Sequence, residues 1–134
     1  MADQGRMVKG WLTKAAVDLR TTKLLLAQNS DDFFGACVFH AQQAAEKAIK
    51  GYLAFNKVRF PKSHDIEKLL ELVSSVDHDL ALELKPSTIL TKFAAAYRYP
   101  EEVELQEPLT AKTCENAHVL ANWVFEEMKS RTTD

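Results

Sequence analysis

The feature that most constrains the fold is an alanine-rich stretch from Ala36 to Leu53, ACVFHAQQAAEKAIKGYL. Alanine, leucine, glutamate and lysine have high helix propensity, and the stretch contains no proline. At about 100° of rotation per residue, its apolar side chains share one broad face and its polar side chains share the opposite face. Because alanine allows neighbouring helices to approach closely, the stretch predicts the central helix of a helical protein.

The polar face of this helix has two open interpretations. It holds His40, Gln43, Glu46, Lys47 and Lys50, and Phe39 lies on the same side, outside the apolar pattern. In the first interpretation these polar groups form a solvated face. In the second, Phe39, His40 and Gln43 form a partner interface, because protein interfaces mix aromatic and polar groups.

The other segments show the same helical spacing of apolar residues. Helices are predicted over about 8–28, 32–56, 66–73, 79–84, 86–97 and 110–129, and Ser63 is the predicted N-cap of the third. No segment shows the alternation of a strand. The predicted fold class is therefore all-α, an up-and-down antiparallel helical bundle with four long helices plus one or two short ones. The 134 residues are expected to form a single domain with a core of about 8–129.

Composition excludes several classes of function. The net charge of −2 argues against a protein coated in positive charge for nucleic acid, although a local basic groove remains compatible with it. No apolar run reaches the roughly 18 residues of a membrane span, and no secretory leader is visible, so a cytoplasmic protein without membrane contact is expected. Cys37 and Cys114 lie in apolar helical patterns and are predicted to be buried free thiols.

Cofactor and metal motifs are missing as well. The sequence has no Gly-rich phosphate loop and no Cys or His pair at zinc spacing. We therefore predict no cofactor and no metal.

Four motifs occur in order along the chain. They are Trp-x3-Ala-x2-Asp-Leu from Trp11, FHAQQAAEKAIKGYL from Phe39, SHDIEKLL from Ser63 and YRYP from Tyr97. In this combination they resemble the HEPN family, helical domains that bind nucleotides or act on RNA, and the resemblance covers about Val8 to Lys129. It implies a helical bundle that commonly forms a homodimer.

The resemblance also implies a partner. Many HEPN domains sit beside a small nucleotidyltransferase, often as a toxin–antitoxin pair. The 134 residues contain no nucleotidyltransferase segment, so such a partner is expected to be a separate polypeptide.

Members of the family that are metal-independent RNases carry an Arg, four to six residues, and then a His, usually near the start of the last long helix. Cleavage of RNA through the 2′-OH needs a proton-transferring group such as His and a fixed positive charge on the phosphate, which Arg supplies. Here Arg98 is followed by no His until His118, so the motif is missing from its usual position. A match to the spacing occurs elsewhere, from Arg59 to His64, in the loop before the third helix.

A candidate surface for a nucleotide or RNA phosphate combines basic and aromatic residues from three segments. Its members are Lys47, Lys50, Arg59, Lys62, His64, Arg98 and Tyr99. The basic side chains would contact phosphate, and Tyr99 would stack on a base. Plainer interpretations remain open: His64 making only a local hydrogen bond, Arg98 and Tyr99 pinning a loop, and His118 packing in the core.

Three functions follow from these interpretations. The first is a non-catalytic binding subunit, bound to a nucleotide, RNA or a nucleotidyltransferase. The second is a metal-independent RNase whose catalytic pair is His64 with Arg59 or Arg98. The third is a purely structural interaction module. We favour the first, because the nuclease motif is missing from its usual place.

Overall fold

The computed structural model describes residues 2–105 and 107–133, apart from the side chain of Ala2. Its α-helices are α1 (Ala2–Ala27), α2 (Phe34–Phe55), α3 (Ile66–Ser74), α4 (His78–Glu83), α5 (Ile89–Arg98) and α6 (Ala111–Ser130). Short 3-10 turns at Asp31–Phe33 and Lys85–Thr88 lead into α2 and α5. These described residues contain no strand, and the all-α prediction is confirmed.

Capping residues explain where two of the helices begin. The carboxylate of Asp65 accepts a hydrogen bond from the backbone N–H of Glu67 at 3.0 Å and makes Asp65 the N-cap of α3. The prediction of Ser63 as this N-cap is wrong. The hydroxyl of Ser63 accepts a hydrogen bond from the N–H of Asp65 at 3.1 Å and stabilises the preceding loop instead. In α6, Thr110 and Thr113 form a reciprocal capping box.

Helix α2 is central, as its alanines predict. It contacts α1, α3, α5 and α6, and Ala41, Ala44, Ala45 and Ala48 are fully buried. A Cβ added at Gly51 would lie 3.3 Å from the Cβ of Trp11, which shows how closely α1 approaches α2. Small side chains along α2 therefore let neighbours pack on several sides of it.

Helices α1 and α2 run antiparallel. Near one end of the α1–α2 pair, the thiol of Cys37 lies 3.5 Å from the carbonyl oxygen of Thr22. At the other end, the amide of Gln4 donates to the carbonyls of Ala54 and Phe55 at 3.0 and 2.8 Å. The predicted up-and-down arrangement is confirmed for these two helices.

The two cysteines are buried free thiols, as predicted. The thiol of Cys114 lies 3.6 Å from the carbonyl oxygen of Phe34, which joins α6 to the start of α2. Burial, with Cys114 beside it, raises the pKa of Cys37 to about 12, and burial also raises the pKa of Cys114. Both groups are therefore protonated at neutral pH and act as small core side chains.

Candidate functional site

The polar side of α2 is covered by the chain itself. Glu46 and Lys50 are both buried, so the interpretation of this side as a solvated face is wrong for these two residues. The ammonium group of Lys50 lies 5.5 Å from the ring centroid of Trp11 in α1 and 5.8 Å from that of Phe60 in the α2–α3 loop. Helix α1 and this loop therefore cover a part of α2 that the helical pattern of the sequence predicts to be exposed.

One group of charged side chains lies between α1 and α2, and we call it the Asp18 cluster: Asp18, His40 and Lys47. One carboxylate oxygen of Asp18 lies 3.0 Å from Nδ1 of His40, and the other lies 2.6 Å from Nζ of Lys47. Asp18 itself is buried. Because buried carboxylates require such partners, His40 and Lys47 stabilise the contact between two helices.

A second group, the Glu46 cluster, comprises Glu46, His64 and Lys50. Nδ1 of His64 lies 2.8 Å from one carboxylate oxygen of Glu46, and Nζ of Lys50 lies 3.5 Å from the other. The side chain of His64 is 58% exposed although its carboxylate partner is 3% exposed. The bond to Glu46 fixes the imidazole through one nitrogen and leaves the other, Nε2, for contact with a ligand.

The amide of Gln42 joins this loop to the helices. Its Nε2 donates to the backbone carbonyl of His64 at 2.9 Å, and its Oε1 accepts from the hydroxyl of Thr91 at 3.3 Å. The same hydroxyl accepts from the backbone N–H of Ile66 at 3.1 Å. Sequence reasoning missed Gln42 and Thr91, although a long amide among buried alanines signals a side chain that needs hydrogen-bond partners.

A pocket of about 270 Å³ opens between α2, α5 and the α2–α3 loop. We call it the His64 pocket, and His64, Arg98, Tyr99 and Gln43 are among the residues that line it. The structure thus brings together three residues of the predicted phosphate surface and one residue of the predicted partner interface. They come from three separate segments, which no sequence spacing could reveal.

Phe39 explains why an aromatic residue interrupts the polar side of α2. Its ring lies 5.4 Å from that of Tyr97, and the guanidinium carbon of Arg98 lies 4.8 Å from its centroid. A Cβ added at Gly35 would come within 2.6 Å of Cδ1 of Tyr97, so glycine permits this approach of α5. The ring of Phe39 therefore makes a cation–π contact with the guanidinium group of Arg98.

The remaining members of the predicted phosphate surface do not line the His64 pocket. Lys47 and Lys50 are held in ion pairs with Asp18 and Glu46. Arg59 is exposed and lines another depression, together with residues such as Lys57 and Phe60. Lys62 is exposed on the α2–α3 loop.

The predicted partner-interface residues are half-buried by the chain itself. Phe39 packs under Arg98, His40 bonds to Asp18, and Gln43 lines the pocket. The side-chain oxygen of Gln43 is buried and has no hydrogen-bond partner among the described residues, which is unusual in a folded protein. A contact of these three residues with another protein stays a prediction.

Acidic residues lie both in the lining of the pocket and beside it. Asp65 lines the pocket, but its carboxylate caps α3. The acidic run Glu101, Glu102 and Glu104 is exposed and does not line the pocket. The carboxylates of this run therefore lie outside the pocket lining.

His118 lies between α6 and α1. Its Nδ1 lies 2.6 Å from the hydroxyl of Thr22 in α1. Burial, and to a lesser extent the charge of Lys23, lowers the pKa of His118 below its ordinary value. His118 is thus favoured in its neutral form and joins α6 to α1.

Metal-binding clusters and membrane spans have recognisable geometry. Over residues 2–105 and 107–133, no three His, Cys, Asp or Glu side chains come together in a way that could hold a metal ion. None of the helices in this part of the chain has both the length and the apolar character that crossing a membrane requires.

Together these features define an all-α bundle with a pocket of basic, aromatic and amide side chains beside its central helix. The family model of the HEPN domain matches residues 8–131. The chain belongs to the HEPN domain family, as the four motifs indicate.

A solved structure supports the same fold. ST0689, an archaeal HEPN homologue, matches with a TM-score of 0.72 and 22% sequence identity, over 94% of this chain and 98% of that chain. Likeness at this level of identity concerns the fold. A comparison with curated proteins finds no match.

Proposed function

We propose that the His64 pocket binds the phosphate and base of a nucleotide or of RNA, and that the chain acts as a binding subunit. The observation that carries the proposal is that His64, Arg98 and Tyr99 line one pocket. These are the three residue types that phosphate and base recognition combines: a proton donor, a guanidinium fork and an exposed ring.

Arg98 has the right surroundings for a phosphate ligand. It is exposed, and the ion pairs found within the described residues do not include it. Its guanidinium rests against the ring of Phe39, which restricts its position without using its N–H donors. An arginine held in this way binds a planar anion with a smaller loss of side-chain entropy.

The volume of the pocket limits what it encloses. At about 270 Å³ it falls just below the range of roughly 300 to 1,000 Å³ that is typical of pockets for drug-sized ligands. We therefore place one phosphate inside it, with the base stacked on the exposed ring of Tyr99. A mononucleotide or the end of an RNA strand fits this description better than a long duplex.

A test of this proposal compares two arginines. Arg98→Gln removes the proposed phosphate contact, whereas Arg20→Gln removes an exposed arginine of α1 that does not line the pocket. Calorimetric titration with AMP and with a short single-stranded RNA should show affinity at least about tenfold lower for Arg98→Gln only. Equal affinities for the two variants would show that Arg98 does not contact the ligand and would contradict binding in the His64 pocket.

The proposal extends to protein partners. Membership of the HEPN family and the sequence resemblance support a cytoplasmic homodimer that pairs with a separate small nucleotidyltransferase in a toxin–antitoxin-like system. Co-expression with a nucleotidyltransferase from a neighbouring reading frame, followed by size-exclusion chromatography with light scattering, tests both associations. A monomer that leaves the nucleotidyltransferase unbound would contradict this part of the proposal.

A second candidate function, metal-independent RNA cleavage, is favoured by one specific observation. Glu46 is buried and holds Nδ1 of His64 at 2.8 Å, an arrangement that orients an imidazole for proton transfer. Arg98 lines the same pocket and Arg59 does not, so Arg98 is the arginine that would hold the phosphate in this reaction.

RNA incubated with the protein in EDTA distinguishes the two functions. Cleavage that is lost in both His64→Ala and Arg98→Gln would establish the RNase. Binding without cleavage, at a concentration where the pocket is saturated, would leave the non-catalytic subunit.

A further inference from the structure

A larger depression than the His64 pocket lies near the C-terminal end of α2. We call it the α1–α6 groove, because the first half of α1 and the end of α6 form its walls, and its volume is about 770 Å³. This volume is within the range of roughly 300 to 1,000 Å³ that is typical of small-molecule sites. The groove shares no lining residue with the His64 pocket.

The lining of the groove is divided between an apolar floor and a basic rim. Val8 and Leu12 of α1 and Phe125 of α6 are largely buried and form part of the floor. Lys9, Lys57 and Lys129 lie at the rim and are exposed. The lining includes no aspartate or glutamate, so its charge has a single sign.

The three rim lysines are not neutralised by the described part of the chain. The ion pairs within residues 2–105 and 107–133 involve other lysines. The ammonium group of Lys129 lies 5.7 Å from the ring centroid of Phe125, which places a cation directly beside the apolar floor. A ligand that carries an anionic group beside an apolar body would therefore contact a lysine and the apolar floor within one groove.

Hydrogen bonds hold the walls in place before a ligand arrives. The amide of Gln4 lines the groove and donates to the carbonyls of Ala54 and Phe55, which anchors the start of α1 to the end of α2. The hydroxyl of Thr132 donates to the carbonyl of Lys129 at 3.0 Å and stabilises the end of α6. A groove with fixed walls binds a ligand at a lower entropic cost.

We propose that the α1–α6 groove binds a small amphipathic anion, with the apolar body of the ligand on Val8, Leu12 and Phe125 and its anionic head at the rim lysines. This site is separate from the His64 pocket and does not depend on nucleotide binding there. The groove favours a small molecule because it is concave and because its charges line the rim of an apolar floor.

Calorimetric titration with three probes tests the class of ligand. Decanoate carries both a chain and a charge, decanol carries only the chain, and acetate carries only the charge. We expect saturable binding of decanoate that is at least tenfold tighter than that of decanol, and no saturable binding of acetate. Equal affinity for decanoate and decanol would overturn the proposal that the rim lysines bind the anionic head of the ligand.

Two glycines of α1 provide a matched pair of blocking variants. A Cβ added at Gly5 or at Gly10 meets nothing within 4 Å, so a side chain can begin at either position without a clash at Cβ. Gly5 lines the groove and Gly10 does not. Gly5→Phe should abolish decanoate binding and Gly10→Phe should preserve it.

Charge removal gives an independent measurement. The double substitution Lys9→Gln with Lys129→Gln should weaken decanoate binding about tenfold, while Lys14→Gln, an exposed lysine of α1 outside the lining, should leave it unchanged. Decanoate binding that survives Gly5→Phe would overturn the proposal. Dimerisation that Gly5→Phe abolishes and Gly10→Phe preserves would overturn it too, because the groove would then be an interface between copies of the chain.

Discussion

The Asp18 cluster and the Glu46 cluster use the same three residue types, an acid, a histidine and a lysine, in two different surroundings. In both, the histidine and the lysine bind opposite oxygens of one buried carboxylate. Lys47 in the first cluster is 22% exposed, whereas Lys50 in the second is 7% exposed. The histidines differ in the opposite direction, with His40 at 32% and His64 at 58% exposed.

Exposure, and not residue type, distinguishes the two clusters. The Asp18 cluster lies between two long helices, and its histidine lines neither the His64 pocket nor the α1–α6 groove. The Glu46 cluster has its lysine buried and its histidine exposed at a pocket that Arg98 and Tyr99 also line. Four predictions test this division.

The largest expected effect concerns the two carboxylates. Glu46→Gln leaves the buried ammonium group of Lys50 without a counter-charge, and we expect it to lower the free energy of unfolding by about 3–5 kcal/mol. Asp18→Asn leaves Lys47, which can turn toward water, and should cost about 1 kcal/mol. Urea unfolding curves for both variants measure the difference.

A rescue variant strengthens this test. Adding Lys50→Met to Glu46→Gln removes the buried charge and should restore most of the lost stability. Equal losses for Glu46→Gln and Asp18→Asn, with no rescue, would show that lysine burial does not distinguish the clusters.

The next effect is steric and concerns the support of the His64 pocket. Gly35→Ala places a Cβ within 2.6 Å of Cδ1 of Tyr97, so the ring of Tyr97 or α5 itself must shift, at an expected cost of about 1–3 kcal/mol. Because Arg98 lies at the end of α5, ligand binding should weaken as well. In Gly51→Ala the added Cβ lies 3.3 Å from the Cβ of Trp11, between α1 and α2. This variant should cost less stability and leave ligand binding intact. Thermal melting and calorimetry on both variants would show whether this order is reversed.

A smaller effect distinguishes the two histidines. His64→Asn and His40→Asn each place an amide N–H where Nδ1 of the histidine bonds to the neighbouring carboxylate, so both should fold normally. We expect about tenfold weaker binding of the nucleotide or RNA for His64→Asn, which is about 1.4 kcal/mol, and unchanged binding for His40→Asn. A comparable loss in both variants would contradict the assignment of the Asp18 cluster to structure alone.

The smallest effect comes from His118, a histidine that binds a hydroxyl in place of a carboxylate. Because burial lowers its pKa below 6.5 in the folded state, the folded protein binds fewer protons here than the unfolded chain. Its contribution to stability is complete above about pH 6.5 and decreases as the pH falls toward the folded-state pKa. Denaturant unfolding at pH 7 and pH 5 should show a decline that His118→Gln reduces. An identical decline in the variant would contradict this origin.

Several features of the molecule could be predicted from the sequence because they depend on local order. The helical spacing of apolar residues predicts the segments of all the α-helices that the structure describes, to within a few residues except at the start of α1. The alanines of the central motif predict that α2 is surrounded, and the apolar setting of Cys37 and Cys114 predicts buried thiols. His64, Arg98 and Tyr99 could also be singled out, because exposed basic and aromatic residues occur beside loops.

Other features were decided by contacts between distant parts of the chain. The partner of Lys47 is 29 residues away in α1, and the partner of His64 is 18 residues away in α2. A helical projection shows the polar side of α2 but cannot show that Trp11 and Phe60 cover it. The burial of Lys50 follows from this covering.

Sequence alone therefore determined that this chain folds as a helical bundle with a central alanine-rich helix, because helix formation and its apolar period are properties of neighbouring residues. Only the tertiary structure decided which polar groups are buried in ion pairs within the fold and which are exposed to solvent. The physical reason is that a charge inside a protein must find a partner, and the partner it finds depends on how the helices and loops come together.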